Sequence, residues 1–86
     1  MPRFYLHLFE GDLRFDDPEG IEVSDPEAAR RAAIHGLRDT ICSGIWNGEL
    51  DLGCCIAVED EGRHEVDRVR FADAVRITNE ATPGKS

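Results

Sequence analysis

The chain has 86 residues, 41% of them apolar, and a formal net charge of −8. This length allows one domain with one modest core, and this apolar fraction excludes a disordered chain. The acidic charge repels phosphates, which excludes a conventional nucleic-acid-binding protein, and no apolar run approaches the roughly 20 residues of a membrane span.

The first part of the chain is predicted to form strands. Residues 3–10 alternate between two faces, which is the period of a β-strand. One face carries Phe4, Leu6 and Leu8, and the other face carries Tyr5, His7 and Phe9. A turn at residues 10–12 predicts that the chain returns as a second strand with Leu13 and Phe15 facing inward. A Pro-Gly turn at residues 17–20 then leads to a short third strand at residues 21–23.

A long helix follows these strands. Its start has two interpretations: Asp25 caps the helix with Pro26 in the first turn, or Ser24 and Glu27 form a capping box. The helix is expected to run to about Trp46 and to end at Asn47-Gly48, a sequence that favours a left-handed backbone conformation at a helix end. Its apolar side consists of Ala29, Ala33, Ile34, Leu37, Ile41, Gly44 and Ile45. Arg30 lies within this apolar arc, which we can explain only if the first turn overhangs the sheet edge.

Two more strands are predicted in the second half of the chain. Residues 53–59 form a strand, a turn follows, and residues 64–71 pair back. The apolar phase slips within this last strand, which predicts a β-bulge near Asp67-Arg68. Residues 72–75 form a short turn, and Val75 and Ile77 are expected to dock. The polar residues 79–86 are expected to be a disordered tail, leaving a single domain of residues 1–78.

These elements predict an α+β fold, in which one long helix packs on one face of an antiparallel sheet of about four strands. The order along the chain is strand, strand, short strand, helix, strand, strand, but the strand order within the sheet does not follow from the sequence. The predicted core consists of Phe4, Leu6, Leu8, Phe15, Ile21, Val23, Ala33, Leu37, Ile41, Ile45, Ile56, Val58, Val69 and Phe71.

Several stretches together resemble a known family. They are residues 1–8, the Asp-Pro-Glu-Gly turn at 17–20, residues 25–30, and residues 60–62 followed by 69–74. They are similar to a family of short uncharacterised proteins common in rhizobia and other alphaproteobacteria, catalogued as a domain of unknown function. The order of hairpin, turn, short strand and Ala-rich helix also resembles HicB-type antitoxins. The first resemblance implies a bacterial protein, and no activity is established for that family.

Four helix residues form a candidate contact surface. His35, Asp39, Cys42 and Trp46 are spaced so that they lie on one stripe opposite the core side. An exposed Trp beside a Cys is typical of a protein contact surface. The alternative is that Trp46 folds back onto the core. A metal site is the weakest interpretation, because one helix supplies an incomplete set of ligands.

Tyr5, His7 and Phe9 form a second candidate surface. If the helix covers only one face of the sheet, their face is left open and would be covered by the same face of a second copy. The competing explanation is that the C-terminal segment with Val75 and Ile77 crosses this face. His7 is expected to be a half-buried histidine rather than a catalytic base, since no nucleophile or partner carboxylate lies at a recognisable spacing.

The three cysteines indicate free thiols and a cytoplasmic protein. Their number is odd, and the adjacent Cys54 and Cys55 would point to opposite faces of a strand, so one disulfide between them is not expected. The two also lack the Cys-x-x-Cys spacing of a redox pair. We interpret them as small apolar strand residues, and the sequence assigns no role to Cys42.

The chain contains no catalytic motif, and its glycines are isolated turn residues rather than a phosphate-binding loop. We therefore expect a non-enzymatic protein-interaction or regulatory module without a cofactor or a metal. Its partner would be a second copy, giving a homodimer, or another protein. One alternative is an antitoxin-like partner of a small basic protein. A second alternative is a small enzyme or metal-binding protein whose site residues are distant in sequence.

Overall fold

The computed structural model describes residues 1–78, in which one long helix packs against an open antiparallel sheet of five strands. The elements are β1 (Arg3–Glu10), β2 (Leu13–Phe15), β3 (Ile21–Glu22), α1 (Pro26–Trp46), β4 (Cys55–Glu59), β5 (Glu65–Arg70) and α2 (Phe71–Ala74). The predicted α+β fold is thus confirmed. The tail predicted for residues 79–86 lies outside the described residues. No helix in the described part of the chain is both long and apolar enough to cross a membrane.

The sheet has the strand order β2-β1-β4-β5, and β3 also pairs with β1. Strands β2 and β3 share one edge of β1, because β4 occupies its other edge. Strand β2 pairs with residues 8–10 of β1 and β3 pairs with residues 3–4, so a gap remains between β2 and β3. The side chain of Asp17 fills this gap, since its Oδ2 accepts the N–H of Leu6 at 3.1 Å.

The turn that carries Asp17 depends on Gly20. The N–H of Gly20 donates to Oδ1 of Asp17 at 3.1 Å, and the φ angle of Gly20 is 68°. A Cβ at this position would lie 2.7 Å from the carbonyl oxygen of Phe4. Both the left-handed backbone and the close approach to β1 therefore require a glycine.

Helix α1 has a well-defined start and end. Oδ1 of Asp25 accepts the N–H of Ala28 at 2.8 Å, and Pro26 follows as the first helical residue, which confirms the first of the two predicted starts. At the other end Gly48 has a φ of 83°, and the N–H of Glu49 donates to the carbonyl of Gly44 at 2.7 Å. This Schellman motif confirms the predicted left-handed end.

The core lies between α1 and the side of the sheet that faces it. The helix contributes Ala29, Ala33, Leu37 and Ile41, which are spaced one turn apart. The predicted core residues that are buried are Phe4, Ala33, Leu37, Ile41, Ile56, Val58, Val69 and Phe71, while Leu6, Leu8, Ile21 and Val23 are partly buried against them. Most of the predicted core is thus confirmed.

Two predicted core residues are exposed instead. Ile45 lies one turn beyond Ile41 on the same side of α1, but no part of the sheet covers it and it is 57% exposed. Phe15 pairs with Leu8 and so faces the helix side, but β2 is a short edge strand that α1 does not cover, and Phe15 is 48% exposed. Leu13 on the same strand is exposed for the same reason. The prediction was wrong because it assigned faces without knowing which strands lie under the helix.

Strand β5 contains the predicted bulge. Val58 pairs with Asp67 and Glu59 pairs with Glu65, so Val66 is the extra residue, next to the predicted position. The bulge places Asp67 on the helix side of the sheet. There Nη1 of Arg30 lies 2.9 Å from Oδ1 of Asp67, which explains a charged residue in the apolar arc of α1.

The chain after β5 forms the short helix α2 where a turn was predicted. Nε of Arg38 donates to the carbonyl of Ala74 at 2.7 Å and ties α2 to α1. Val75 is partly buried against the core, as predicted, but Ile77 is 65% exposed, so its predicted docking is wrong.

Candidate interaction surfaces

The outer stripe of α1 is the first candidate surface. His35, Asp39, Cys42 and Trp46 are all exposed, and Trp46 is 89% exposed. The alternative that Trp46 folds back onto the core is therefore wrong. Within residues 1–78, no three His, Cys, Asp or Glu side chains are close enough together to hold a metal ion. The stripe thus presents a large apolar ring beside small polar side chains on a rigid helix.

The sheet face opposite α1 is covered by arginine side chains. The guanidinium groups of Arg14 and Arg68 lie 5.3 and 5.1 Å from the centre of the Phe9 ring, and that of Arg63 lies 5.0 Å from the centre of the Tyr5 ring. These are cation–π distances. Each arginine is also paired with a carboxylate: Arg14 with Asp16, Arg63 with Glu59 and Arg68 with Glu65. The two aromatic rings are therefore only partly accessible.

His7 is the buried centre of this face. It is 2% exposed, and its Nε2 lies 3.1 Å from Oε1 of Glu59. Its Nδ1 accepts the backbone N–H of Asp17 at 3.1 Å. The tautomer that fits both contacts has its hydrogen on Nε2, which then donates to Glu59. Neither nitrogen is free to take a proton from a substrate, and the ring instead ties the turn at residues 16–20 to the sheet.

His7 is buried on this face, whereas Tyr5 and Phe9 stay partly exposed beneath the arginines. The segment with Val75 does not cross the face, because Val75 packs against the core on the helix side. The predicted covering of this face by a second copy stays a prediction. Sequence analysis missed Arg14, Arg63 and Arg68. Their role depends on the register, in which Arg14 pairs with Phe9 and Arg68 with Ala57, and only the strand order shows that these pairs share one face.

The three cysteine side chains lie in different surroundings. Cys42 is exposed, Cys54 and Cys55 are buried, and all three are free. Cys54 belongs to the core on the helix side, where burial raises the pKa of its thiol, and nearby Asp51 and Glu10 raise it further. Cys55 lies on the arginine side, where its Sγ is 3.3 Å from Nη1 of Arg68. The raised pKa of Cys54 fits a small core residue rather than a reactive thiol.

A groove lies beside α1, between the helix, the β1–β2 hairpin and the segment 48–54. Its deeper part has a volume of about 280 Å³, and a more open continuation has a volume of about 440 Å³. Glu10, Thr40, Gly44 and Glu49 line both parts. No sequence pattern indicated this groove, because its walls come from three separate segments of the chain.

Comparison with known protein families gives one match. The model of a domain of unknown function, DUF6894, matches residues 3–72, which span the chain from β1 to the start of α2. No curated protein and no solved structure matches the chain. The matched range contains every strand of the sheet and the whole of α1.

Proposed function

The chain belongs to the DUF6894 family, a domain of unknown function, and we propose that it is a non-enzymatic protein-interaction module that binds its partner through the outer stripe of α1. The 89% exposure of Trp46 carries this proposal. A Trp ring is large, rigid and mostly apolar, so leaving it in water is unfavourable, and Trp is enriched among the residues that dominate binding energies. His35, Asp39 and Cys42 would form the polar rim of the contact.

The environment of His7 supports a non-enzymatic role. It is the one buried histidine among the described residues, and both of its ring nitrogens are engaged by Glu59 and by the backbone of Asp17. A general base needs a nitrogen that can reach the substrate proton. The arrangement of His7 therefore favours a structural task, which is to hold the turn against β1.

The partner is either a second copy or another protein of the same cell, and the family resemblance favours a bacterial cytoplasm. A second candidate function is an antitoxin-like partner of a small basic protein. It is favoured by the net charge of −8 and by the acidic side chains that line the groove. A small basic protein encoded by the neighbouring gene would support this candidate, and a gene without such a neighbour would count against it.

The test is capture of partners from native lysate by the tagged chain, with identification by mass spectrometry. Wild type is compared with Trp46→Ala, and Ile77→Ala serves as the matched control because Ile77 is also exposed, at 65%, but lies outside α1. We expect a partner that is retained by wild type and by the control but is lost with Trp46→Ala. A partner that is retained equally by all three chains would refute the proposed surface.

Sedimentation separates the two kinds of partner. If the partner is a second copy, wild type, whose chain mass is 9.6 kDa, should sediment as a dimer at a concentration of tens of micromolar, and Trp46→Ala should sediment as a monomer. A wild-type chain that sediments as a monomer, together with a lysate that yields no partner, would contradict the whole proposal.

A further inference from the structure

The groove beside α1 is held in shape by hydrogen bonds. Oδ2 of Asp51 accepts the N–H of Gly11 at 2.7 Å, so the loop before β4 is tied to the β1–β2 hairpin. Oδ1 of the same carboxylate accepts the N–H of Gly53 at 2.8 Å. On the other wall, the Schellman motif fixes Glu49 against Gly44. Both walls are thus formed before any ligand binds.

The lining of the groove combines apolar and acidic side chains. Leu13 and Leu50 line its deeper part and are 61% and 51% exposed, and the buried Ile41 lies beneath them. Two aliphatic side chains in one concave surface form a site that a third aliphatic side chain can fill. Nothing in the described part of the chain occupies this place.

The charges of the groove are all of one sign. Its two parts are lined by the carboxylates of Glu10, Asp39, Glu49 and Asp51, and by no Arg, Lys or His. Within residues 1–78 none of these four forms an ion pair. The paired arginines lie elsewhere, on the opposite sheet face, at the first turns of α1 and at the start of β1. Burial raises the pKa of the neighbouring Cys54 thiol, and the charges of Asp51 and Glu10 raise it further.

We propose that this groove binds a segment of another protein in which basic side chains flank an aliphatic one. The aliphatic side chain would lie between Leu13 and Leu50, and the basic side chains would pair with Glu10 and Glu49. An acidic rim repels nucleic acid and acidic peptides, and an inorganic cation would leave the leucines exposed. Only a segment with both basic and aliphatic side chains would pair with the carboxylates of the rim and also cover the leucines.

This site shares only Asp39 with the outer stripe of α1 and goes beyond the function proposed for that stripe. It gives the second candidate function, a basic protein partner, a defined binding site. Successive residues of a helix are rotated by about 100°, so residues two apart point about 200° away from each other. Gly44 on the groove and Trp46 on the stripe are such a pair. A variant of one surface can therefore serve as a control for the other.

The experiment measures the affinity of a labelled peptide of about twelve residues, built from Arg, Leu and Ala so that a helix carries Leu on one face. A peptide with Glu in place of Arg is the probe control. The groove variant is Glu10→Gln with Glu49→Gln. Its matched control is Glu19→Gln with Glu61→Gln, because these exposed carboxylates lie away from the groove and the change in net charge is equal.

We expect the groove variant to weaken peptide binding at least about tenfold at low salt, and the matched control to weaken it less than about twofold. Leu13→Ser should also weaken binding, whereas Trp46→Ala should not. Equal losses in both charge variants would show general attraction to an acidic protein and would overturn the proposal. Failure of wild type to bind the Arg peptide, or equal binding of the Glu peptide, would overturn it as well.

A second measurement uses the unchanged chain and so does not depend on the folding of variants. During titration of the Arg peptide into wild type, the methyl NMR signals of Leu13 and Leu50 should shift, and the indole signal of Trp46 should not. Shifts confined to Trp46 would refute the groove while supporting the outer stripe. The two proposals can therefore fail separately.

Discussion

The two faces of the sheet are covered in different ways. The face towards α1 is covered by a helix stripe of small and aliphatic residues, and Leu37, Val58 and Val69 are fully buried there. The opposite face has no helix and is covered by Arg14, Arg63 and other long side chains from the sheet itself. A small domain with no helix on this face can thus cover two aromatic rings with the aliphatic parts and the guanidinium groups of arginine side chains.

The two coverings should contribute unequally to stability. Burial of aliphatic side chains removes apolar area from water, and every methyl group of a packed core contributes. Exposed ion pairs and cation–π contacts contribute less, because water screens the charges and long side chains lose freedom. Substitutions on the helix side should therefore lower the free energy of unfolding more than substitutions on the arginine side.

The largest loss is expected for Leu37→Ala. Leu37 is 0% exposed between α1 and the sheet, and truncation of such a residue leaves a cavity that costs about 2–5 kcal/mol. Urea unfolding followed by circular dichroism measures the loss. Leu50→Ala is the control, since Leu50 is 51% exposed and should change the free energy of unfolding by less than about 1 kcal/mol. Similar losses in both variants would show that the helix-side core is not closely packed.

Gly20→Ala should have the next largest effect. It places a Cβ 2.7 Å from the carbonyl oxygen of Phe4 and forces a left-handed backbone on Ala, so we expect a loss of about 2–3 kcal/mol. Gly11→Ala is the matched control. Gly11 has a φ of 60°, but a Cβ there would meet nothing within 4 Å, so its loss should be limited to about 1 kcal/mol. Equal losses of unfolding free energy in the two variants would mean that the turn at residues 17–20 does not pack closely against β1.

On the arginine side, His7→Ala should cost about 1–3 kcal/mol, because it leaves the backbone N–H of Asp17 without its acceptor and the carboxylate of Glu59 with only the exposed Arg63. His64→Ala is the control, since the side chain of His64 is 81% exposed. Thermal unfolding measures both variants. If His7→Ala lowered the free energy of unfolding more than Leu37→Ala, the arginine-covered face would contribute more to stability than the face towards α1, contrary to our expectation.

The helix-facing side of the molecule could be predicted from the sequence because its signals are local. Asp25-Pro26 and Gly48 define the ends of α1, and the four-residue spacing of Ala29, Ala33 and Leu37 defines its buried side. Strand alternation predicted which residues share a face. The phase slip in β5 predicted the bulge that the structure places at Val66. Each of these inferences needs only neighbours within a few residues.

The arginine-covered face and the groove could not be predicted in this way. Phe15 is exposed because β2 lies at the edge of the sheet. Phe9 is partly covered because Arg68 reaches its ring from a strand that is distant in sequence. Each fact requires the strand order, which the sequence pattern leaves open. The outer stripe with Trp46 was predicted because it lies on a single helix. The groove was missed because its walls come from separate segments.

The smallest effect is expected for the pH dependence of an ion pair on the arginine side. The hydrogen bond from Arg68 lowers the pKa of Glu65 below its ordinary value of 4.5. The folded state therefore binds this proton less readily than the unfolded state. The resulting stabilisation is complete above about pH 4.5 and is lost as the pH falls through the lower pKa of the folded state. Because the side chain of Glu65 is 41% exposed, screening by water should keep the contribution below about 1 kcal/mol.

Glu65→Gln removes this titration, so the free energy of unfolding of the variant should fall less steeply than that of wild type as the pH is lowered below about 4.5. The two curves should differ most near neutral pH and converge in acid. Glu61→Gln is the control, because Glu61 forms no ion pair within residues 1–78, and its curve should run parallel to that of wild type. Urea titrations at several pH values measure all three chains. If the Glu65→Gln curve also ran parallel to wild type, the pair with Arg68 would not contribute to stability, and the covering of Phe9 by Arg68 would depend on the ring alone.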